Sequence, residues 1–480
     1  VTEPETPHHA GFVWMICVVA AMGGLLFGYD WVVIGGAKPF YEQAFGIAGN
    51  ASAQGFAMST ALLGCLVGAA VSGKLTERFG RKWLLVFSAL LFSVSAVLTA
   101  IAADLTMFNV ARWIGGVGIG LASNLSPMYI SEVSPAAMRG RLVAVNQLTL
   151  VIGILAAQLV NWAIASGVPS GTQGPALLDT WCGEYGWRWM FAAETFPAAL
   201  FFGLMFLAPE SPRWLAKAGR TEEAEAILAR IGGRAHAADE LAAIRATLGD
   251  GPVGRERLAD LFDGTVSRVL VIGVALVVLQ QWCGINVIFN YAEEVFTAAG
   301  YDVRGTMAVI VATGVVNLLF TLVGMSLVDR IGRRSLMLFG ASGLALLFLT
   351  LGGLYYAQST GAHMAALVLA GIAVYAMSLA PVTWVVISEI FPNRVRGSAM
   401  ALCVLALWTA CAALTFTFPM IKENFGAAGA FWLYAGISLL GFVFIWFELP
   451  ETKDKSLEEI EAELAPAAGP GPRIAHGSTQ

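Results

Sequence analysis

The stretch QQWCGINVIFNY, Gln280 to Tyr291, decides how this chain is read. It sets two adjacent glutamines and two asparagines, Asn286 and Asn290, inside an apolar run from Val269 to Phe296. Amide side chains are costly there unless something pairs with them, and lipid offers no partner. On an unbroken helix, at about 100° per residue, Gln281 and Asn286 would point about 140° apart and could not line one site. Gly284 lies between them. A glycine permits local unwinding, which membrane depth tolerates only where the backbone lines a cavity or is buried in protein. The stretch therefore reads as the wall of a solute cavity partway across a bilayer.

The composition agrees. Of 480 residues, 57% are hydrophobic and 13% charged, and the mean hydropathy is +0.71; an average soluble domain carries about 25% charged residues. Apolar runs recur at close to the roughly 20 residues that cross a hydrocarbon core. A net charge of -5 gives no footprint for nucleic acid, and the 14 tryptophans suit interfacial belts and aromatic packing. The apolar run from Phe12 to Ala37, behind the acidic TEPETPHH, is too long for a signal-peptide core and is expected to be an uncleaved first span. Six cysteines (17, 65, 182, 283, 403 and 411) have neither metal nor redox spacing, and only Cys182 falls in a predicted loop. They read as small packing residues, and no metal or cofactor is implied.

Counting outward from the opening stretch predicts twelve spans, near 12–36, 55–75, 83–103, 106–129, 142–166 and 190–208, then near 267–297, 305–327, 336–357, 363–388, 397–420 and 426–448. Basic residues alternate between loops. Lys74, Arg78, Arg81, Lys82, Arg139, Arg141, Arg330, Arg333, Arg334, Arg394 and Arg396 share one side, against Lys38, Arg188, Arg304 and Lys422 on the other. The positive-inside rule places both termini in the cytoplasm. Residues 210–265 break the pattern, with short amphipathic segments such as TEEAEAILARI (221–231) and DELAAIRATL (239–248), expected as water-exposed helices on the membrane surface. The expected organisation is a six-span half over 1–209, a cytoplasmic helical linker over 210–265, a second half over 266–449 and a tail over 450–480. The tail beyond Leu464 is rich in Pro, Gly and Ala and is expected to be disordered.

The halves echo each other. GKLTERFGRK (73–82) returns as GMSLVDRIGRR (324–334), SEVSPAAMRGR from Ser131 as SEIFPNRVRGS from Ser388, and PESPR from Pro209 as PETKD from Pro450. Three echoes in one order point to a duplicated six-helix unit, and pseudo-symmetric halves of this kind rock about a midplane site in many transporters.

With FGYD (27–30), the basic GR loops, ARWIGG (111–116), SPMYISEVSP (126–135), PESPRW (209–214), QQWCGIN, VDRIGRR (328–334), PVTWVVISEIFPNRVRG (381–397) and PETKDKSLEEIE (450–461), the chain resembles the sugar porter family of the major facilitator superfamily from about Gly11 to Ile460. The resemblance implies an all-α membrane protein of twelve transmembrane helices in two pseudo-symmetric halves with a cytoplasmic helical linker. It implies alternating-access transport of a monosaccharide such as xylose or glucose, coupled to protons, by a monomer in the lipid bilayer. Compact loops without an N-glycosylated extracellular loop suggest a bacterial inner membrane.

Site residues follow from the same resemblance. Gln147, Gln280, Gln281, Asn286 and Asn317 match sugar-binding positions, which suits amides because they donate and accept as sugar hydroxyls do. Gln147 also stands without the family, since Gln158 lies about 20° from it on a helical wheel. The bland alternative is that the amides bond one another as interhelical glue. Phe27, Trp384 and Trp408 match aromatic walls that would stack on a sugar's C–H face; the alternative for each is packing. Pro381 removes a backbone donor and can open the tenth span near Trp384. Leu407 stands where relatives carry a polar residue, Asn290 where a tyrosine is usual, and Ile154 in place of a second glutamine, as in facilitative glucose transporters.

Asp30 on the first span and Arg112 on the fourth would each be costly alone at depth and so are expected to compensate each other. The resemblance makes Asp30 the protonation site, Arg112 its partner and Glu194 an acid that relays or tunes the step; a static ion pair is the alternative. A third set, Glu77, Arg78, Arg81, Glu132, Arg139 and Glu210 with Asp329, Arg330, Arg333, Glu389, Arg396 and Glu451, repeats at the cytoplasmic helix ends and is expected to form inter-helix salt bridges that gate that side. Topology anchoring is a role the same arginines fill in any case.

Other classes fare less well. An uncoupled facilitator of a sugar or a polyol such as inositol is disfavoured by Asp30, and a non-transporting sensor by the short tail. An enzyme is disfavoured because the sequence offers no metal cluster, nucleophile with base, or phosphate loop. GGVGIG (115–120) lies within a span with no strand before it and reads as helix packing.

Overall fold

A computed structural model describes residues 9–135, 138–248, 264–391, 395–453 and 455. The described residues contain helices and turns and no strand. In the first half they form α1 (Ala10–Ala44), α2 (Ala51–Phe79), α3 (Arg81–Ala100), α4 (Leu105–Val133), α5 (Arg139–Ala165), α6 (Trp187–Ala192) and α7 (Thr195–Met205). Two elements follow before the second half, α8 (Pro212–Lys217) and α9 (Thr221–Leu248). The second half holds α10 (Gly264–Trp282), α11 (Ile285–Asn290), α12 (Ala292–Ala298), α13 (Val303–Ile331), α14 (Arg333–Tyr356), α15 (Ala362–Met377), α16 (Leu379–Ile390) and α17 (Arg396–Glu448). Asp329's side chain, the Pro, Gly and Ala rich tail and part of the 210–265 segment lie outside the described residues.

Among the described residues, ten helical stretches are long and apolar enough to cross a membrane. The remaining two of the twelve expected spans are hidden by local geometry. Gly426, at φ 67°, divides α17 into two crossings, and the sixth span is interrupted at Ala193 and Glu194 into α6 and α7. Polar side chains start the helices: Asn50, Asp104 and Asp302 accept the backbone N–H of Ala53, Met107 and Gly305 at 3.1, 2.8 and 2.8 Å. Each satisfies a donor that the first turn would leave open, which is more costly in lipid than in water.

The three sequence echoes meet in space. At the end of α2, Glu210 accepts the N–H groups that open α3, from Arg81 at 2.9 Å and Lys82 at 3.0 Å, while the Arg81 fork grips Glu132 with two bonds of 2.8 Å. The second half repeats this. Glu451 accepts from the N–H groups of Arg333 and Arg334 at 2.8 and 3.1 Å, and Arg333 reaches Glu389 at 3.1 Å. Ser211 and Thr452 add matching hydroxyl bonds to Glu132 and Glu389, at 2.5 and 2.7 Å. A carboxylate at a helix N-terminus is favoured by the open donors and the dipole together. The repeated motifs are thus one locking unit used twice.

Within the first half α1 packs on α5 and α2 on α4; across the halves α2 meets α17 and α5 meets α13. The α1–α5 crossing is close because glycines face backbone. A Cβ on Gly28 would fall on the Leu150 carbonyl, and one on Gly153 on the Leu25 carbonyl. Gly28→Val should therefore overpack this crossing by about 1–3 kcal/mol, seen as a lower melting temperature of the purified protein; an unchanged melting temperature would mean the crossing has slack.

The 210–248 segment builds a separate small core from Leu215, Ala224, Leu228, Ala237, Leu241 and Ile244. It touches the start of α1, where His9 donates its N–H to the Ile231 carbonyl at 2.9 Å and Arg230 lies 4.4 Å over the Phe12 ring.

Candidate functional site

The opening stretch is broken where its chemistry requires. Gly284 takes a left-handed conformation, φ 91° and ψ -10°, and separates α10 from α11. A Cβ there would approach the Tyr434 and Phe348 side chains to 2.8 and 3.0 Å, so both the backbone angle and the space select glycine. The break brings Asn286 back beside Gln281, which an unbroken helix would forbid. Asn286 Nδ2 donates to Gln281 Oε1 at 2.6 Å, Gln281 Nε2 to Gln280 Oε1 at 3.3 Å, and Gln280 Nε2 to the carbonyls of Leu379 and Ala380 at 3.1 Å each.

Those two carbonyls lie in the first turn of α16, just past a second break. Ser378, at φ -124° and ψ -92°, separates α15 from α16 three residues before Pro381. Proline lacks the N–H that would bond the fourth residue back and its ring clashes with that carbonyl. A chain of three buried amides therefore runs from one broken helix to another, with 3%, 7% and 6% exposure at Gln280, Gln281 and Asn286.

The other predicted polar residues spread around this chain. Asn317 on α13 is buried and Gln147 on α5 is half-buried. Gln158, one helical face with Gln147, donates to Thr313 Oγ1 of α13 at 3.2 Å and so ties the halves together. Trp408 on α17 packs across the seam against α1, with ring centroids 5.7 Å from Phe27 and 6.0 Å from Trp31. Trp31 is not among the residues that the sequence singles out. Its position four residues after Phe27, hence on the same face of α1, is the available signal. Trp384 on α16 keeps 37% of its surface open.

One residue before Trp31 the same turn of α1 presents a charge in another direction. Arg112 binds Asp30 through Nη1, and its Nη2 donates to the Asp30 carbonyl at 3.1 Å. The guanidinium also lies 5.4 Å over Phe191. Glu194, at the break between α6 and α7, faces Asp30 within reach of a carboxyl–carboxylate hydrogen bond. Asp30 is 1% exposed, and Arg112 and Glu194 are each 2% exposed. Asp30 Oδ2 and Glu194 Oε1 both lack a donor among the described residues. One cation thus serves two buried carboxyls, and a single shared proton would supply the missing donor and cancel the excess charge.

Six of the twelve residues expected at the cytoplasmic helix ends form two units. Arg81, Glu132 and Glu210 form one locking unit and Arg333, Glu389 and Glu451 the other, each within a single half. Glu77 pairs with Lys217 of α8 at 3.0 Å, Arg78 stacks over Phe79, Arg396 donates to the Phe391 carbonyl at 3.1 Å, and the Arg330 carbonyl accepts from Lys453 at 2.9 Å. Arg139 begins α5 and is exposed. At the opposite end of α1, a cluster that the sequence does not suggest joins Lys38, Glu42, Glu294 and Lys422.

Residues 16–464 match the family model described as Sugar (and other) transporter. The arabinose-proton symporter of Bacillus subtilis is 39% identical over 96% of this chain and 97% of its own length. The D-xylose-proton symporter of Escherichia coli is 39% identical over 96% of this chain and 98% of its own. Among solved structures, an inward-open xylose transporter from E. coli superposes with a TM-score of 0.81 at 38% identity, covering 94% of this chain and 99% of that one.

Proposed function

The chain belongs to the sugar transporter family and has its major facilitator fold, and from that premise we propose that it is a proton-coupled symporter importing a pentose or related monosaccharide by alternating access. The observation that carries this reading is the buried cluster of Asp30, Arg112 and Glu194. Two buried carboxyls beside one guanidinium, which bonds Asp30, each with an oxygen lacking a donor among the described residues, form a site that is incomplete without a proton. A facilitator has no need of such a site, and an insulated excess charge would otherwise cost several kcal/mol.

The sugar is held between the halves. Gln280, Gln281, Asn286, Asn317 and Gln147 bond its hydroxyls, and the amide chain exchanges its mutual bonds for bonds to sugar. Phe27, Trp31, Trp384 and Trp408 take the apolar faces. The seam that receives the sugar and the acid that receives the proton lie on one turn of α1. Protonation of the cluster loosens Asp30 from Arg112 and frees α1 to move with the bound sugar, so the proton gradient biases the reorientation.

The same reading places the duplicated locking units, the 210–265 linker and both termini in the cytoplasm, and the chain as a working monomer in the lipid bilayer of an inner membrane. The locking units brace the inner ends of each half as the halves rock.

The test is direct. Adding D-xylose or L-arabinose to lightly buffered, de-energised vesicles containing the protein should raise the external pH, because each sugar carries a proton inward. Sugar entry at unchanged pH would leave a facilitator.

A further inference from the structure

The cluster at the far end of α1 is not part of the sugar or proton sites, and its ions are deeply placed. Lys38 is 2% exposed, Glu42 7% and Glu294 9%. Lys38 Nζ lies 2.8 Å from Glu42, one turn along its own helix, and 2.5 Å from Glu294 of α12 in the other half. Glu294 also binds Lys422 of α17, and Gln54 of α2 donates to Glu42 at 3.1 Å. Lys38 stands 5.6 Å over the ring of Tyr291, whose hydroxyl donates to the Thr415 carbonyl at 2.6 Å. Beside it a Cβ on Gly35 would come within 2.9 Å of the Phe289 carbonyl, so the two halves touch here through their backbones.

We propose that Lys38 and Glu294 form a latch that closes the outer face of the transporter, a pair of gating residues separate from the duplicated locks at the inner end. This rests on the transporter reading for the meaning of outer and inner. The physical case is that a buried ion pair contributes little net stability but discriminates strongly between states. With the halves together, Lys38 neutralises Glu294 and the pair is dry. With the halves apart, both ions are wetted and each keeps a partner in its own half, Glu42 for Lys38 and Lys422 for Glu294. The ions therefore lose little when the gate opens, and the cross-half bond exists only when it is shut.

Glu294→Gln removes the cross-half charge while leaving Lys38 paired with Glu42, and Lys38→Gln removes it from the other side. Glu293→Gln is the control. It changes the same charge one residue away, on a side chain whose hydrogen bond is local, from Thr297 at 3.2 Å. Spin labels at Ala48→Cys and Asn424→Cys, on exposed positions of the two halves at this end, would report the gap in sugar-free liposomes by double electron–electron resonance. Either latch variant should raise the long-distance population about tenfold or more relative to the parent, and Glu293→Gln should leave it unchanged. Two latch variants that fold, judged by melting temperature, yet show the parent distribution would overturn the proposal, as would an equal shift in the control. The readout needs no sugar and no proton flux, so it stands or falls apart from the coupling assignment.

Discussion

Asp30→Asn should abolish sugar-driven proton uptake while sugar counterflow across vesicles carrying the variant persists. The charge balance of the cluster gives the reason. In the wild type, Arg112 faces two carboxyls, and the arrangement is neutral only with a proton on board. With an amide replacing the Asp30 carboxyl, Glu194 alone balances Arg112 and the cluster is neutral without a proton. The amide oxygen can still accept from the Arg112 guanidinium, so the helices stay joined. Neutrality without a proton removes the energetic link between proton occupancy and movement of α1, and transport becomes exchange down the sugar gradient. The expected change is a loss of the pH response to background with counterflow within about tenfold of the parent. If instead counterflow and the pH response fall together, Asp30 is a structural partner of Arg112. Sugar-driven alkalinisation that survives the substitution would move the coupling acid elsewhere.

Gln281→Ala should weaken sugar binding by roughly 30- to 150-fold. Gln281 is the middle of the amide chain, accepting from Asn286 at 2.6 Å and donating to Gln280 at 3.3 Å. Its truncation removes direct bonds to sugar and leaves Asn286 and Gln280 each short of a partner in a buried site. An ordinary neutral hydrogen bond contributes about 0.5–1.5 kcal/mol net, and a buried group left unpaired costs about 1–3 kcal/mol. Together these span about 1.5–4.5 kcal/mol, and about 2–3 kcal/mol within that range gives the stated loss at about 1.4 kcal/mol per tenfold. Titration calorimetry with D-xylose and L-arabinose is the check. An affinity within about threefold of the parent would mean that the amide chain is interhelical glue and that the sugar is read elsewhere.

The amide chain shows why part of the site is legible in a sequence. Gln281 and Asn286 cannot share a face on a regular helix, and Gly284 between them supplies the break, so the anomaly and its resolution lie within one short stretch. The same holds for Pro381, whose effect appears three residues upstream at Ser378. Span counting from the sequence also separates what helix length alone hides: the runs 397–420 and 426–448 lie in one helical stretch with Gly426 between them, and the run 190–208 is split at Glu194 into short pieces.

The cluster of Lys38, Glu42, Glu294 and Lys422 shows where legibility stops. Lys38 and Lys422 read locally as loop-side charges that set topology. Nothing in their spacing announces that two lysines so far apart along the chain meet a common carboxylate, since helix periodicity reports only neighbours within one helix. Glu210 and Glu451 are intermediate. Their repetition is visible, yet it takes coordinates to show that they bind helix N-terminal N–H groups as well as belonging to an array of acids and bases. Trp31 sits between the two cases, one residue from Asp30 and four from Phe27, with its partner Trp408 on a distant helix.

Coupling is the central claim, and accumulation against a gradient tests it most directly. Proteoliposomes with equal D-xylose or L-arabinose on both sides are given an acidic exterior, and internal sugar is followed with time. The proton symporter described here should concentrate sugar inside above the external level, transiently, and collapse of the pH difference with a protonophore should return it to equality. Internal sugar that never exceeds the external level, although it exchanges freely, would contradict the account and leave the cluster of Asp30, Arg112 and Glu194 without a transport role.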